Sequence, residues 1–327
     1  MDYPKYSVAI RTLGTAGDKF VREINSLLKQ SILPEKIFAY IPDGYAIPEF
    51  SGSDVIVWVR SPKGMVSQRS LPFLEISSQY VLFLDDDIEL AADTVENLFK
   101  PVLDANADVV VANVFPNHEG SIGWKIRSAL GGTLPSISKK WAFRIRLSTH
   151  YSYCNCPEEY MPSQSGAGAC ILCRFDAYRN IHFEEERWLE FTGYPLGEDL
   201  VFLNKFYRNS YKVMVHFNTK ILHLDGGAGT RKDAEQQFFN SQVLHYLIWY
   251  RISYQLSHNR IAKAYNALCF YGSLFFQSIF DIPRLFGEGR FMLTTRYSAL
   301  RAGIKYRKSG IFDNIPLFNS YKTPTYH

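Results

Sequence analysis

The chain has 327 residues, 46% hydrophobic and 21% charged, enough for one large domain or about two smaller ones, which excludes a peptide or a disordered tail. A formal net charge of +4 is too small to imply a nucleic-acid partner, although it permits attraction to an anionic membrane. Met1-Asp2-Tyr3-Pro4-Lys5-Tyr6 has neither the basic start nor the apolar stretch of a secretory signal, so a cytoplasmic location is expected.

Ser7 to Ile10 is a short apolar run that opens into a loop at Arg11-Thr12-Leu13-Gly14, the pattern of a first buried strand. Phe20, Ile24, Leu27 and Leu28 then recur at helical spacing, and Pro34 closes that helix. A strand from Lys36 to Ile41 meets Pro42-Asp43-Gly44; another follows at Val55 to Val59, then a loop at Ser61-Pro62-Lys63-Gly64 and a helix over Val66 to Ser77. Such alternation predicts an α/β fold with a mostly parallel sheet, whose ligands gather at the carboxyl ends of its strands. Thr12, Asp43 and the triplet Asp85-Asp86-Asp87, which ends the run Tyr80 to Leu84, all lie at such ends. Three adjacent carboxylates repel one another and either raise their pKa or bind a divalent cation. Strand alternation predicts that Asp85 and Asp87 share a face for one metal, leaving Asp86 on the other face and tolerant of substitution.

A helix over Asp93 to Leu103 and a strand over Val109 to Val114 continue the pattern, which then lapses from Asn117 to about Tyr160. This irregular stretch carries Trp124, Trp141 and several Arg, and acceptor contacts are expected there. Gly166-Ala167-Gly168-Ala169 enters a strand, either as a tight turn or as a place where backbone approaches a ligand. Glu198-Asp199 starts a helix, which the helix dipole alone would favour. Strands over Lys212 to Phe217 and Thr219 to Leu222 end at His223, either a structural histidine or one that completes a metal shell.

Beyond Arg231 the composition becomes aromatic and helical. The run Ala264 to Ile282 is the most apolar in the chain, but Asn266, Gln277 and Asp281 interrupt it, which predicts a buried or interfacial helix and not a membrane span. Basic residues from Arg284 to Lys308 follow, suited either to anionic lipid or to a solvated helical face. Of the five cysteines, Cys154 with Cys156 and Cys170 with Cys173 invite a zinc site. Cys170-Ile171-Leu172-Cys173 reads as a strand with its thiols on opposite sides, so reduced, partly buried cysteines are expected.

In this order the motifs resemble the inverting glycosyltransferases of family 2 with the A-type fold, over roughly Ser7 to Arg231. Val8-Ala9-Ile10-Arg11-Thr12 and the helix holding Leu27-Leu28-Lys29-Gln30 are similar to the family's opening strand and helix. Pro42-Asp43-Gly44 resembles its Asp-Asp-Gly-Ser turn, with Pro42 for the first Asp and Tyr45 for the Ser. Gln68-Arg69-Ser70 resembles its Arg-Asn helix, and Asp85-Asp86-Asp87 its Asp-x-Asp motif. The resemblance implies a Rossmann-like nucleotide-binding domain over 1–230 with a mixed sheet, and a helical, membrane-associating extension over 231–327. It implies donor contacts from Thr12, Asp43, Arg69, Asp85 and Asp86, and Mn2+ or Mg2+ held by Asp87, Asp85 and His223. Acceptor contacts would come from Gly166, Ala167, Gly168 and Trp124, with Asp199 as base oriented by Glu198. The implied partners are a nucleoside-diphosphate sugar, a saccharide or lipid-linked acceptor of cell-surface polysaccharide synthesis, and the anionic inner face of the membrane.

The chemistry asks for these residue types. A departing diphosphate needs a cation on hard oxygen ligands, and a sugar hydroxyl needs a carboxylate to take its proton. A metal-dependent phosphatase or phosphotransferase is the rival enzyme, but it places its Asp on an early strand and leaves Glu198-Asp199 without a role. A sugar-nucleotide-binding protein without turnover is the second rival.

Overall fold

A computed structural model describes residues 3–50, 53–114, 121–154, 157–224, 234–287 and 290–321. Cys156 and the segment from Asp225 to Asp233 lie outside these, so the Cys154–Cys156 pairing is not described. In chain order the elements are β1 (Tyr6–Arg11), α1 (Asp18–Leu27), β2 (Ile37–Pro42), β3 (Ile56–Ser61), α2 (Met65–Arg69), β4 (Tyr80–Asp85), β5 (Ile88–Leu90), α3 (Thr94–Ala105), β6 (Val109–Ala112) and α4 (Ile122–Gly131). There follow β7 (Ile137–Ser138), β8 (Phe143–Ile145), β9 (Tyr151–Cys154), β10 (Tyr160–Pro162), β11 (Cys170–Arg174), α5 (Phe175–Asn180), α6 (Glu198–Arg208), β12 (Val213–His216), β13 (Ile221–His223), α7 (Ala234–Trp249), α8 (Arg260–Asp281) and α9 (Met292–Lys308).

Among the described residues the main sheet has eight strands in the order β10-β12-β6-β11-β4-β1-β2-β3. β3, β2, β1 and β4 run parallel, as the strand and helix alternation predicts. β11 inserts antiparallel between β4 and β6, which makes the sheet mixed. β1, β2, β4, β6, β11 and β12 are buried along nearly their whole length, as strands covered on both faces are, whereas the edge strands β3 and β10 are partly exposed. Cys170 and Cys173 on β11 are free, completely buried and packed in different core clusters, so they cannot share a metal. Burial pushes both thiols up, away from the thiolate that zinc requires.

Two local expectations are corrected. The helix expected to Ser77 stops at Arg69, because Pro72 bars its continuation and Phe73 takes a left-handed φ of 45°. The stretch expected to be irregular contains α4 and a three-stranded sheet in the order β7-β9-β8. Its helix signal is diluted by two glycines, and its strands are two to four residues long.

The carboxyl-terminal helices share the larger core cluster with the sheet, through Val243, Leu247, Trp249 and Phe270. A completely buried carboxylate joins the two regions: Glu186 accepts from Lys205 Nζ and from Arg251 Nη2, both at 2.9 Å. Among the described residues no helix is long and apolar enough to cross a membrane.

Candidate active site

The parallel strands β1 and β4 end side by side, with Arg11 paired in register to Asp85. Beyond these ends lies a cleft of about 750 Å³ lined by Arg11, Thr12, Asp85, Asp86, Asp87 and His223. The chain leaves β4 at Asp85 and turns at Asp86-Asp87 before β5. Strand alternation therefore ceases where it was expected to separate the carboxylates, and all three line one cleft. Asp86 does not face away: Thr12 Oγ1 donates to its Oδ2 at 2.6 Å. Burial raises the Asp86 pKa, as do its two neighbours, against the Thr12 hydrogen bond.

Asp85 forms an ion pair with Arg11 Nη2, and Arg11 Nη1 reaches Glu198 Oε1 at 3.4 Å, so one guanidinium ties the triplet to the start of α6. β13, hydrogen-bonded to β5, carries His223 Nε2 to 3.1 Å from Asp87 Oδ2. These two donors fit one divalent cation. Asp85, committed to Arg11, does not complete the set, and among the described residues no three His, Cys, Asp or Glu side chains gather around a point. The fit is therefore that of a cation shared between Asp87, His223 and the oxygens of a bound anion.

Arg69, almost wholly buried on α2, anchors a second cluster, which Arg11, a residue of the cleft lining, reaches through Glu198. Its Nε pairs with Glu198 and its Nη2 lies 3.1 Å from Asp199 Oδ1, while Gly168 O accepts from both terminal nitrogens at 3.3 and 3.4 Å. A Cβ at Gly168 would fall 1.9 Å from Asp199 Oδ1, so only glycine lets that strand entry pass the carboxylate. Burial pushes the Glu198 carboxyl well up, with Arg69 opposing and Asp199 adding to it. Asp199 is held low: burial opposes its ionisation, but Glu198, Arg69, Arg11 and the Gly168 N–H outweigh it. Although densely surrounded, the Asp199 side chain keeps 43% of its surface open, the share through which a hydroxyl could reach it. The two carboxyls are thus pushed in opposite directions, Glu198 up and Asp199 down.

Of the remaining expected residues, Gly166 packs where a Cβ would meet Val111 at 2.9 Å, and Ala167 is buried. Asp43 is exposed in the turn after β2 and is not among the residues lining the cleft. Trp124 lies on α4 and lines a different cavity. Sequence reasoning missed the bridging role of Arg11, and it missed Glu190, which accepts from the Val66 and Ser67 backbone N–H groups at 2.7 and 2.9 Å and so caps α2. Gly64, whose Cβ would strike Glu190 at 2.3 Å, was the one local trace of that contact.

The model of glycosyl transferase family 2 matches residues 42–180, a segment that includes the Asp triplet and ends before α6. Over that segment, 139 of the 327 residues, the chain is similar to glycosyl transferase family 2. Curated proteins gave no match. Among solved structures, a TarS fragment from S. aureus is 14% identical over 94% of this chain and 83% of its own, with a TM-score of 0.50, a likeness in fold alone. It agrees with the family 2 expectation of an A-type sheet followed by helices. The mannosyltransferase PcManGT from Pyrobaculum calidifontis, in complex with GDP-Man and Mn2+, is 12% identical over 94% of this chain and 88% of its own, at 0.49. GalNAc-T7, solved with UDP, GalNAc and Mn2+, is 13% identical at 0.48; this chain is covered over 97% and spans 59% of that one. At those scores the last two carry no argument.

Proposed function

We propose that this protein is a metal-dependent inverting glycosyltransferase, moving a sugar from a nucleoside-diphosphate sugar to a hydroxyl of a saccharide or lipid-linked acceptor. The observation that carries the reading is the joining of two half-sites by Arg11. One half, Asp87 with His223, suits a cation and a diphosphate; the other, Asp199 with Glu198 on Arg69, suits proton abstraction. A bound Mn2+ or Mg2+ would supply Lewis-acid stabilisation of the leaving diphosphate. Thr12, Asp85 and Asp86 then orient the donor, and Arg69 keeps Asp199 ionised so that it accepts the proton of the attacking hydroxyl. Displacement of the diphosphate from the opposite side of the ring inverts the anomeric centre. A phosphotransferase has no use for the Glu198-Asp199 pair, and a non-catalytic binder has no use for a carboxylate held ionised and open.

The stretch 1–230 serves in this reading as the catalytic unit and 231–327 as its membrane-facing part. α8 supports the second half. Three of its polar residues point inward: Asn266 Oδ1 accepts from Trp249 Nε1 at 2.7 Å, Gln277 Nε2 donates to Gly131 O at 2.7 Å, and Asp281 pairs with Arg296 at 2.6 Å. Its exposed face is Ile261, Tyr265, Leu268, Phe275 and Ile279, with Ile261 at 82% and Leu268 at 68% exposure. An amphipathic helix with its apolar side outward needs a cover. The exposed cations Arg260, Lys125 and Arg127, with no exposed acid on α4 or α8, complement the anionic cytoplasmic leaflet. The test is thermal stabilisation across a panel of nucleotide sugars with and without Mn2+; no stabilisation by any of them would overturn the transferase reading.

A further inference from the structure

A second cavity, of about 450 Å³, lies between α4, β9, α8 and α9, away from the donor cleft. Three guanidiniums line it, those of Arg127, Arg146 and Arg296, against one carboxylate, Asp281. Asp281 accepts from Arg296 Nη2 at 2.6 Å, while Arg296 Nε, buried, has no hydrogen-bond partner. Arg146 is 6% exposed, and its partners are all neutral: Nη1 donates to Ser128 O at 2.7 Å and Nε to Ser152 Oγ at 3.2 Å. Burial lowers its pKa to about 10. Arg127 is exposed at the mouth, over the Phe280 ring, with no ion pair among the described residues. Half-buried His150 has its pKa pushed well down by its surroundings, then by His245, Arg146 and Arg296. A guanidinium buried without counter-charge beside a hollow is costly unless the hollow takes an anion, and the planar fork of Arg matches phosphate oxygens in pairs.

The cavity also touches the strand entry that holds the proposed base. Tyr151, which lines it, shares a hydrogen bond with Ser165 Oγ at 2.9 Å, and the chain from Ser165 runs directly into Gly166 and Gly168 against Asp199. We propose that this cavity binds a phosphate ester on the acceptor, with Arg127, Arg146 and Arg296 on the phosphate and the Trp124 ring beside the adjoining sugar. The assignment to the acceptor rests on the transferase reading; the anion site itself does not.

The test is calorimetric titration of the full-length protein, without divalent metal, by inorganic phosphate, then by glycerol 3-phosphate, then by phosphatidylcholine vesicles carrying phosphatidic acid. One saturable phosphate site is expected, weakened about tenfold or more in both Arg127→Gln and Arg146→Gln. Whichever ester binds more tightly, with a loss in Arg127→Gln, names the source as soluble or lipid-borne. No saturable binding, or unchanged affinity in Arg127→Gln, overturns the proposal; that variant is exposed and decides the matter if Arg146→Gln fails to fold. Nucleotide-sugar binding with Mn2+, measured on the same variants, separates failure of this site from failure of the transferase reading.

Discussion

Arg69 Nη2 stands 3.1 Å from Asp199 Oδ1 across 130 residues of chain, and the same guanidinium grips Glu198 through Nε. Asp199→Asn is expected to bind donor with affinity changed less than about threefold while turnover falls about 10²–10⁴-fold. Arg69→Met removes a charge that holds the Asp199 pKa down, so the acidic limb of kcat/KM should move to higher pH. An unmoved limb would dissociate Arg69 from the base.

Asp87→Ala should abolish the Mn2+-dependent part of donor binding in calorimetry, and His223→Ala should weaken it by about tenfold or more. Asp86→Ala is not expected to be silent, since it strands the Thr12 hydroxyl, at a stability loss of about 1–3 kcal/mol in urea unfolding.

Glu186→Gln leaves two buried cations, Lys205 and Arg251, without their carboxylate and should cost about 3–5 kcal/mol by urea denaturation. Burial opposes ionisation of Glu186, but the two cations hold its folded pKa below the unfolded value. Its stabilising contribution is therefore present above the ordinary Glu pKa and fades as pH falls through the depressed one. A variant whose deficit is equal at pH 7 and pH 3 would contradict this sign.

Glu23, on α1, behaves in the opposite way. It is completely buried, and burial, then Asp86, Asp85 and Asp87, push its pKa well up. The folded state then binds the extra proton, so wild-type stability falls as pH rises above the unfolded Glu value. Glu23→Gln should raise the urea midpoint at pH 8 relative to wild type and lose that advantage at pH 4.

Leu268→Asp with Phe275→Asp should release the protein from anionic vesicles at low salt, where wild type sediments with them. Wild-type protein that stays free of vesicles at low salt would refute the membrane face.

The parallel half of the sheet and the placement of Thr12, the triplet, Glu198-Asp199 and His223 were legible because apolar runs, turns and acidic ends are local signals. The antiparallel insertion of β11 was not, since it depends on pairing between β4 and a strand 86 residues further on, as with Leu84 opposite Cys170. The faces of the Asp triplet were misread because alternation holds only while the strand lasts, and β4 ends at the first Asp. Arg11 and Glu190 act through contacts 187 and 124 residues away, with Glu198 and Val66, which no window on the sequence contains.

The outward apolar side of α8 also governs handling of the purified protein. Without lipid, the nearest available apolar surface is the same face on another molecule, so sedimentation should reveal concentration-dependent clustering that mild detergent disperses.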